Sequence, residues 1–227
     1  MAEHAAPLVG IDEVRAAHER IRPHVSRTPL VAMADGGVLL KAESLQPGGS
    51  FKIRGAVNSM LALDDEQRSR GVVAHSSGNH AIAVARAGAV LGITVTVVMP
   101  GDAPRVKRAL TEELGARVEL VGSGSDERVA RANELAVAEG LTLVEPYDSR
   151  AVLAATATIA VEILEDLGDL GSVGSPTIYV PVSGGGLAGG VAAGAKLLDP
   201  GVRIVAVEPE EAADFAASRR AGERVSF

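Results

Sequence analysis

Apolar residues recur along the chain in two rhythms. Short runs of β-branched and aliphatic residues read as strands at Val38–Glu43, Val72–His75, Thr94–Met99, Arg117–Val121, Thr142–Val144, Thr177–Val182 and Arg203–Val207. Between them, apolar positions three and four apart predict helices at Ile11–Arg22, Ser50–Leu63, Asn79–Leu91, Ala103–Leu114, Asp126–Glu139, Arg150–Asp166 and Gly186–Leu198, with another starting near Glu210. Strand and helix in alternation predict an α/β fold, a parallel sheet covered by helices on both faces. Loops are punctuated at Gln46–Gly49, Gly122–Ser125 and Gly168–Pro176. No linker divides the chain into sequential domains, so two lobes would require the chain to pass between them more than once.

Composition narrows this picture. The 227 residues carry 22 basic and 29 acidic side chains, a formal charge of −7, and only 2% are aromatic. Small aliphatic residues therefore fill the core, which suits helices lying close on a sheet. The absence of Cys excludes a disulfide scaffold, a thiolate zinc site and a thiol nucleophile. The acidic balance and scarce aromatics argue against nucleic-acid binding. The first twenty residues lack the basic start and apolar stretch of a signal peptide. The least polar run, Ala87–Pro100, is too short to span a bilayer. A cytoplasmic protein is expected. The length corresponds to about one and a half domains at ~150 residues each.

Three loops carry the candidate chemistry. In Gly48-Gly49-Ser50-Phe51-Lys52-Ile53-Arg54-Gly55-Ala56, Ser50 reads as a helix cap, which puts Lys52 in the first turn. The helix dipole there disfavours an ammonium and favours the neutral amine that Schiff-base chemistry needs. A solvated surface lysine is the competing reading, and spacing alone leaves it ahead. The loop Ser76-Ser77-Gly78-Asn79-His80 follows a strand and opens a helix, where amides and hydroxyls can hold a carboxylate. An ordinary capped turn explains it equally well. The loop Ser183-Gly184-Gly185-Gly186-Leu187 offers bare backbone N–H groups at a helix start, a phosphate cradle, or else a turn built for close packing. Gly184-x-Gly186-x-x-Gly189 also satisfies the dinucleotide fingerprint, with Glu208 ~20 residues on. An NAD-binding Rossmann protein is therefore a second hypothesis, although it leaves the first two loops without a role.

Taken together and in this order, the three loops resemble the pyridoxal-phosphate enzymes of the serine/threonine dehydratase and serine racemase group. The resemblance runs from Arg27-Thr28-Pro29-Leu30 to the last residue. It implies the two-lobed tryptophan-synthase-β-like fold, fold type II. Residues 1–70 with 149–227 would form the large lobe and 71–148 the small one. It further implies that Lys52 carries the cofactor on its amine and moves the substrate's α-proton. Phe51 would flank the ring and Asn79 would bond its 3-hydroxyl oxygen. Ser183, Gly184, Gly185, Gly186 and Leu187 would bind the phosphate, and Ser76, Ser77, Gly78 and His80 the substrate carboxylate. In the racemase branch, the Ser77 position supplies the second acid/base. Glu208, Ala212 and Asp214 match the spacing of a divalent-cation site, Mg²⁺ or Ca²⁺.

The implied activity is ammonia loss from a β-hydroxy amino acid such as L-serine or L-threonine. A serine or hydroxyaspartate racemase is the alternative, and dimers are common among similar enzymes. The chain departs from the family pattern at Ser183, where Gly is usual. It departs again at Ala154-Ala155-Thr156-Ala157-Thr158, where Ala-Gly-Gln-Gly-Thr is usual. It is also shorter than the family. The expectation is a large lobe lacking its C-terminal share, either an incomplete fragment or a chain completed by a partner.

Overall fold

The computed structural model describes residues 8–34, 37–171 and 174–225. It divides into two compact units, Ala16–Pro146 and Met1–Arg15 with Tyr147–Phe227. One boundary falls inside helix α1 (Ile11–Ile21).

Within Ala16–Pro146, strands β1 (Leu30–Ala32) and β2 (Leu39–Lys41) form an antiparallel hairpin, and a 3₁₀ turn follows at Glu43–Leu45. Helices α2 (Lys52–Leu61) and α3 (Asp65–Arg70) come next. Then strands and helices alternate: β3 (Val72–His75), α4 (Asn79–Leu91), β4 (Val95–Pro100), α5 (Arg105–Glu113), β5 (Arg117–Val121), α6 (Ser125–Glu139) and β6 (Thr142–Leu143). The four strands make one parallel sheet in the order β5-β4-β3-β6.

The period of two in the strands sorts their side chains between two cores. Val72, Ala74, Val95, Val97 and Met99 pack with α4 and with Ile53, Ala56, Val57 and Met60 of α2. Val73 and Val98, on the opposite face, pack with Ala132 and Leu135 of α6. Both faces are thus covered, which is why these strands read as nearly unbroken apolar runs. The expected small lobe, 71–148, lies in this unit except for its last two residues. The packing of α2 on the sheet's core draws residues 16–70 into the same unit.

The other unit is built on α7 (Arg150–Asp169), β7 (Thr177–Pro181), α8 (Gly186–Leu198) and β8 (Arg203–Val207). Strands β7 and β8 pair in parallel, and α7 lies against α8. Small residues allow that approach. A Cβ on Gly190 would lie 2.6 Å from the Leu153 carbonyl oxygen, and one on Gly194 2.6 Å from that of Ala157. Glycine costs helix stability, and here the close helix pair offsets that cost.

Some boundaries differ from expectation. Helix α3 and strand β1 lie outside the elements that the apolar rhythm predicts. Helix α7 runs to Asp169 rather than Asp166, shortening the loop expected over 168–176, of which 172–173 lie outside the described residues. Near Glu210 there is first a 3₁₀ turn, Glu210–Ala212, and only then helix α9 (Asp214–Ala221). Among the described residues no helix is long and apolar enough to cross a membrane.

Candidate functional site

Lys52 begins α2, but Ser50 is not its cap. The cap position falls to Phe51, one residue later than expected, with helical backbone angles (φ −56°, ψ −18°) and no side-chain hydrogen bond to the helix. The Ser50 hydroxyl is buried without a hydrogen-bond partner. The turn before it uses two glycines in the left-handed region, Gly48 (φ 89°) and Gly49 (φ 78°).

Two residues beyond Lys52, Arg54 is fully buried. Its guanidinium grips Glu43 through two bonds of 2.8 Å, from Nε to Oε2 and from Nη2 to Oε1. Glu43 also accepts from Thr28 Oγ1 at 2.6 Å. Gln46 Nε2 donates to the Ser26 carbonyl at 2.7 Å. Burial alone would raise the Glu43 pKa, but the hydrogen bonds and charge of Arg54 hold it below the ordinary value. This fork ties the turn after the hairpin to α2 and so fixes where Lys52 stands.

The Lys52 amine is half-buried. Nζ donates to the Pro146 carbonyl at 2.5 Å and lies 5.3 Å from the centre of the Phe51 ring. Its pKa is lowered by burial. Burial favours the neutral, nucleophilic amine.

The Ser76–His80 loop leaves the C-terminal end of β3. Ser76 Oγ accepts from the Gly78 N–H at 3.1 Å, which folds the loop on itself. Ser77 is exposed. Gly78 is the residue before α4 and gives no side-chain cap, so the first N–H groups of that helix lack an intrahelical partner. Asn79 Oδ1 accepts from Lys107 Nζ on α5 at 2.7 Å.

His80 departs from the expected role. Its ring is buried, with Nε2 2.9 Å from the Val144 carbonyl, and burial pushes its pKa down to about 4. The neutral ring donates to that carbonyl, so the side chain serves the interior rather than a substrate carboxylate.

In the other unit, Ser183–Leu187 follows β7 and opens α8. Gly185 alone among its three glycines has positive φ (83°), and the space beside it is open. Gly184 and Gly186 are glycines for another reason. A Cβ on Gly184 would sit 2.5 Å from the Tyr147 ring, and one on Gly186 2.7 Å from the Tyr147 carbonyl oxygen. The two readings of this loop therefore coexist. Close packing explains Gly184 and Gly186, while the turn at Gly185 delivers the chain to a helix N-terminus. Thr156 secures the loop from behind, its Oγ1 lying 2.8 Å from the Gly186 carbonyl oxygen and 2.9 Å from that of Val152.

The expected cation site at Glu208, Ala212 and Asp214 finds no support. Both oxygens of Glu208 accept backbone N–H groups at the start of α9, from Phe215 at 3.0 Å and Ala216 at 2.9 Å. The carboxylate completes a helix terminus there, a role that dipole and orphan donors explain without a metal. No group of three or more His, Asp or Glu side chains placed to hold a metal occurs among the described residues.

Sequence reasoning missed Lys107, Glu43, Tyr147 and the Pro146 carbonyl. None of these lies in the three motif loops, and only the fold brings them to one.

Comparison with known proteins decides the family. The model of the pyridoxal-phosphate dependent enzymes matches residues 21–227. The chain belongs to that family. A catabolic L-threonine dehydratase of Staphylococcus aureus (strain USA300) is 40% identical over 220 residues, covering 94% of this chain and 62% of the relative. The chain thus spans less than two thirds of the length of that relative. Among solved structures, maize serine racemase superposes with a TM-score of 0.91 at 38% identity, covering 97% of this chain and 67% of that one. A T.th. threonine deaminase gives 0.89 at 39% identity, covering 96% and 71%. The fold is that of the type II pyridoxal-phosphate enzymes, and the dinucleotide reading of Gly184-x-Gly186-x-x-Gly189 loses its support.

Proposed function

We propose that this chain carries the lysine and phosphate-loop parts of a pyridoxal-phosphate-dependent ammonia-lyase acting on a β-hydroxy amino acid such as L-threonine or L-serine. The observation that carries the reading is Lys52, an amine desolvated at a helix start in a family that binds this cofactor. The residues fit the group. A neutral amine can join an aldehyde, the amides after Gly185 can take a phosphate, and the Asn79 amide can meet a ring oxygen. When bound, pyridoxal phosphate supplies an electron sink for the pair left at the substrate's α-carbon.

The chain's own residues do the rest. Lys52 Nζ takes the α-proton once its nitrogen is released. Ser76, Ser77 and the Gly78 amide hold the carboxylate. The phosphate rests on Ser183, Gly184, Gly185, Gly186 and Leu187, and Phe51 flanks the ring. The β-hydroxyl leaves as water, and water returns in hydrolysis, giving a 2-oxo acid and ammonia. A racemase is the second reading, favoured by the likeness to maize serine racemase and by the exposure of Ser77, which would protonate from the face opposite Lys52. A cytoplasmic location and a homodimer belong to the same reading.

Borohydride reduction of the cofactor-supplied protein, followed by peptide mapping, tests the lysine. The expected label is on Lys52, and a label elsewhere sinks the assignment. Chiral analysis of serine after incubation separates racemase from lyase.

A further inference from the structure

Lys107 belongs to none of the three motifs, yet its amine reaches a residue of the proposed site. It stands on α5, half-buried, with Nζ 2.7 Å from Asn79 Oδ1. The same amine roofs Gly78, where a Cβ would come within 3.2 Å of Nζ. Its helix is held on the turn below, since buried Thr111 Oγ1 donates to the Lys107 carbonyl at 2.8 Å.

The chemistry of the pair is one-sided. An ammonium has three donors and no lone pair, whereas a carboxamide presents an oxygen on one branch and an NH₂ on the other. Lys107 can therefore face only the oxygen of Asn79, which leaves the NH₂ on the opposite branch. An asparagine without such a neighbour can turn its amide over and offer either group.

We propose that Lys107 is a positioning residue that locks the Asn79 amide as a donor. A ligand meeting Asn79 from the side away from α5 then finds N–H groups only. Such a side chain selects an acceptor, an ionised ring oxygen rather than a protonated one. The proposal rests on the reading of Asn79 as a cofactor contact. It adds what sets the polarity of that contact, and it predicts that the tautomer of bound pyridoxal phosphate depends on a residue that need not touch it.

The test uses the full chain with Lys107→Met and Lys107→Arg, each compared with wild type and with Asn79→Ala. Without cofactor, the side-chain amide resonances of Asn79 are followed by ¹⁵N NMR. They are expected to move in Lys107→Met and to return near the wild-type position in Lys107→Arg. With pyridoxal phosphate, Lys107→Met is expected to weaken retention roughly tenfold, the scale of one charged hydrogen bond. Its long-wavelength absorbance band should also give way to the shorter-wavelength one at a pH where wild type keeps it. In the Asn79→Ala background, Lys107→Met should change neither retention nor spectrum, because its effect has lost its carrier.

Equal effects of Lys107→Met in both backgrounds overturn the proposal, as do unchanged Asn79 resonances. A normal spectrum in Lys107→Met overturns it while leaving the cofactor reading intact. A wild type that takes up no pyridoxal phosphate and shows no reducible Lys52 overturns both.

Discussion

At the scale of single residues, burial sets the chemistry that spacing could only hint at. Lys52 and His80 both lose proton affinity, and each for the same reason: their surroundings solvate charge poorly. For His80 this links stability to pH. Its folded pKa is about 4 against an ordinary 6.5, so between those values the unfolded chain binds a proton that the folded one refuses. Stability should therefore fall as pH drops from 6.5 toward 4, by about 3 kcal/mol from this group. Burial lowers the pKa of His75 as well, and its contribution has the same sign. Urea unfolding across this range should show the loss in wild type and a shallower slope in His80→Gln, which can still donate to Val144. Replacing Lys52 with Ala should abolish borohydride labelling and any lyase activity while leaving the unfolding free energy within about 1 kcal/mol of wild type, because its charge gains little from its half-buried place.

Elements were more legible than the contacts among them. Strands β3, β5 and β8 and helices α4 and α8 fall where the apolar rhythm put them. Helix α3 escaped because it is polar and short, with none of its residues buried. Its signal was present nonetheless: Asp64 and Gln67 form a reciprocal capping box. The candidate site residues were legible only as three separate loops, since motif spacing carries residue types and not partners. The Arg54–Glu43 fork illustrates this, for nothing in the spacing of an arginine and a glutamate eleven residues apart announces a buried pair. Breaking it by Arg54→Met strands the half-buried carboxylate, with an expected loss of about 3–5 kcal/mol in denaturant unfolding. On the α7–α8 pair, Gly190→Ala should cost about 1–3 kcal/mol. Removing the Thr156 hydroxyl should not rescue it, because the Leu153 carbonyl stands in the way too.

For the whole molecule, the expected gain comes from ligand rather than from any one contact. Pyridoxal phosphate at about a hundred times its dissociation constant should stabilise the chain by about 2.7 kcal/mol, read as a rise in Tm that inorganic phosphate reproduces only in part. An unchanged Tm with cofactor would count against the phosphate and lysine assignments together. Sedimentation at several concentrations in the same buffer tests the homodimer. The parallel pair β7–β8 buries Ile178 and Val180 on one face and leaves Tyr179 69% exposed on the other. A sheet of this kind usually has both faces covered.

The Ser183–Leu187 loop also bears on what drift can do to this chain. Positions 184 and 186 refuse a side chain for want of room, while 185 refuses one on grounds of handedness. No codon change to an L-residue therefore fits any of the three, and the obstacles differ in kind, so no single compensating change nearby lifts them all. Chemical synthesis has an option that translation lacks. A D-alanine at position 185 has the mirrored backbone preference and should be accepted there, where an L-alanine is strained.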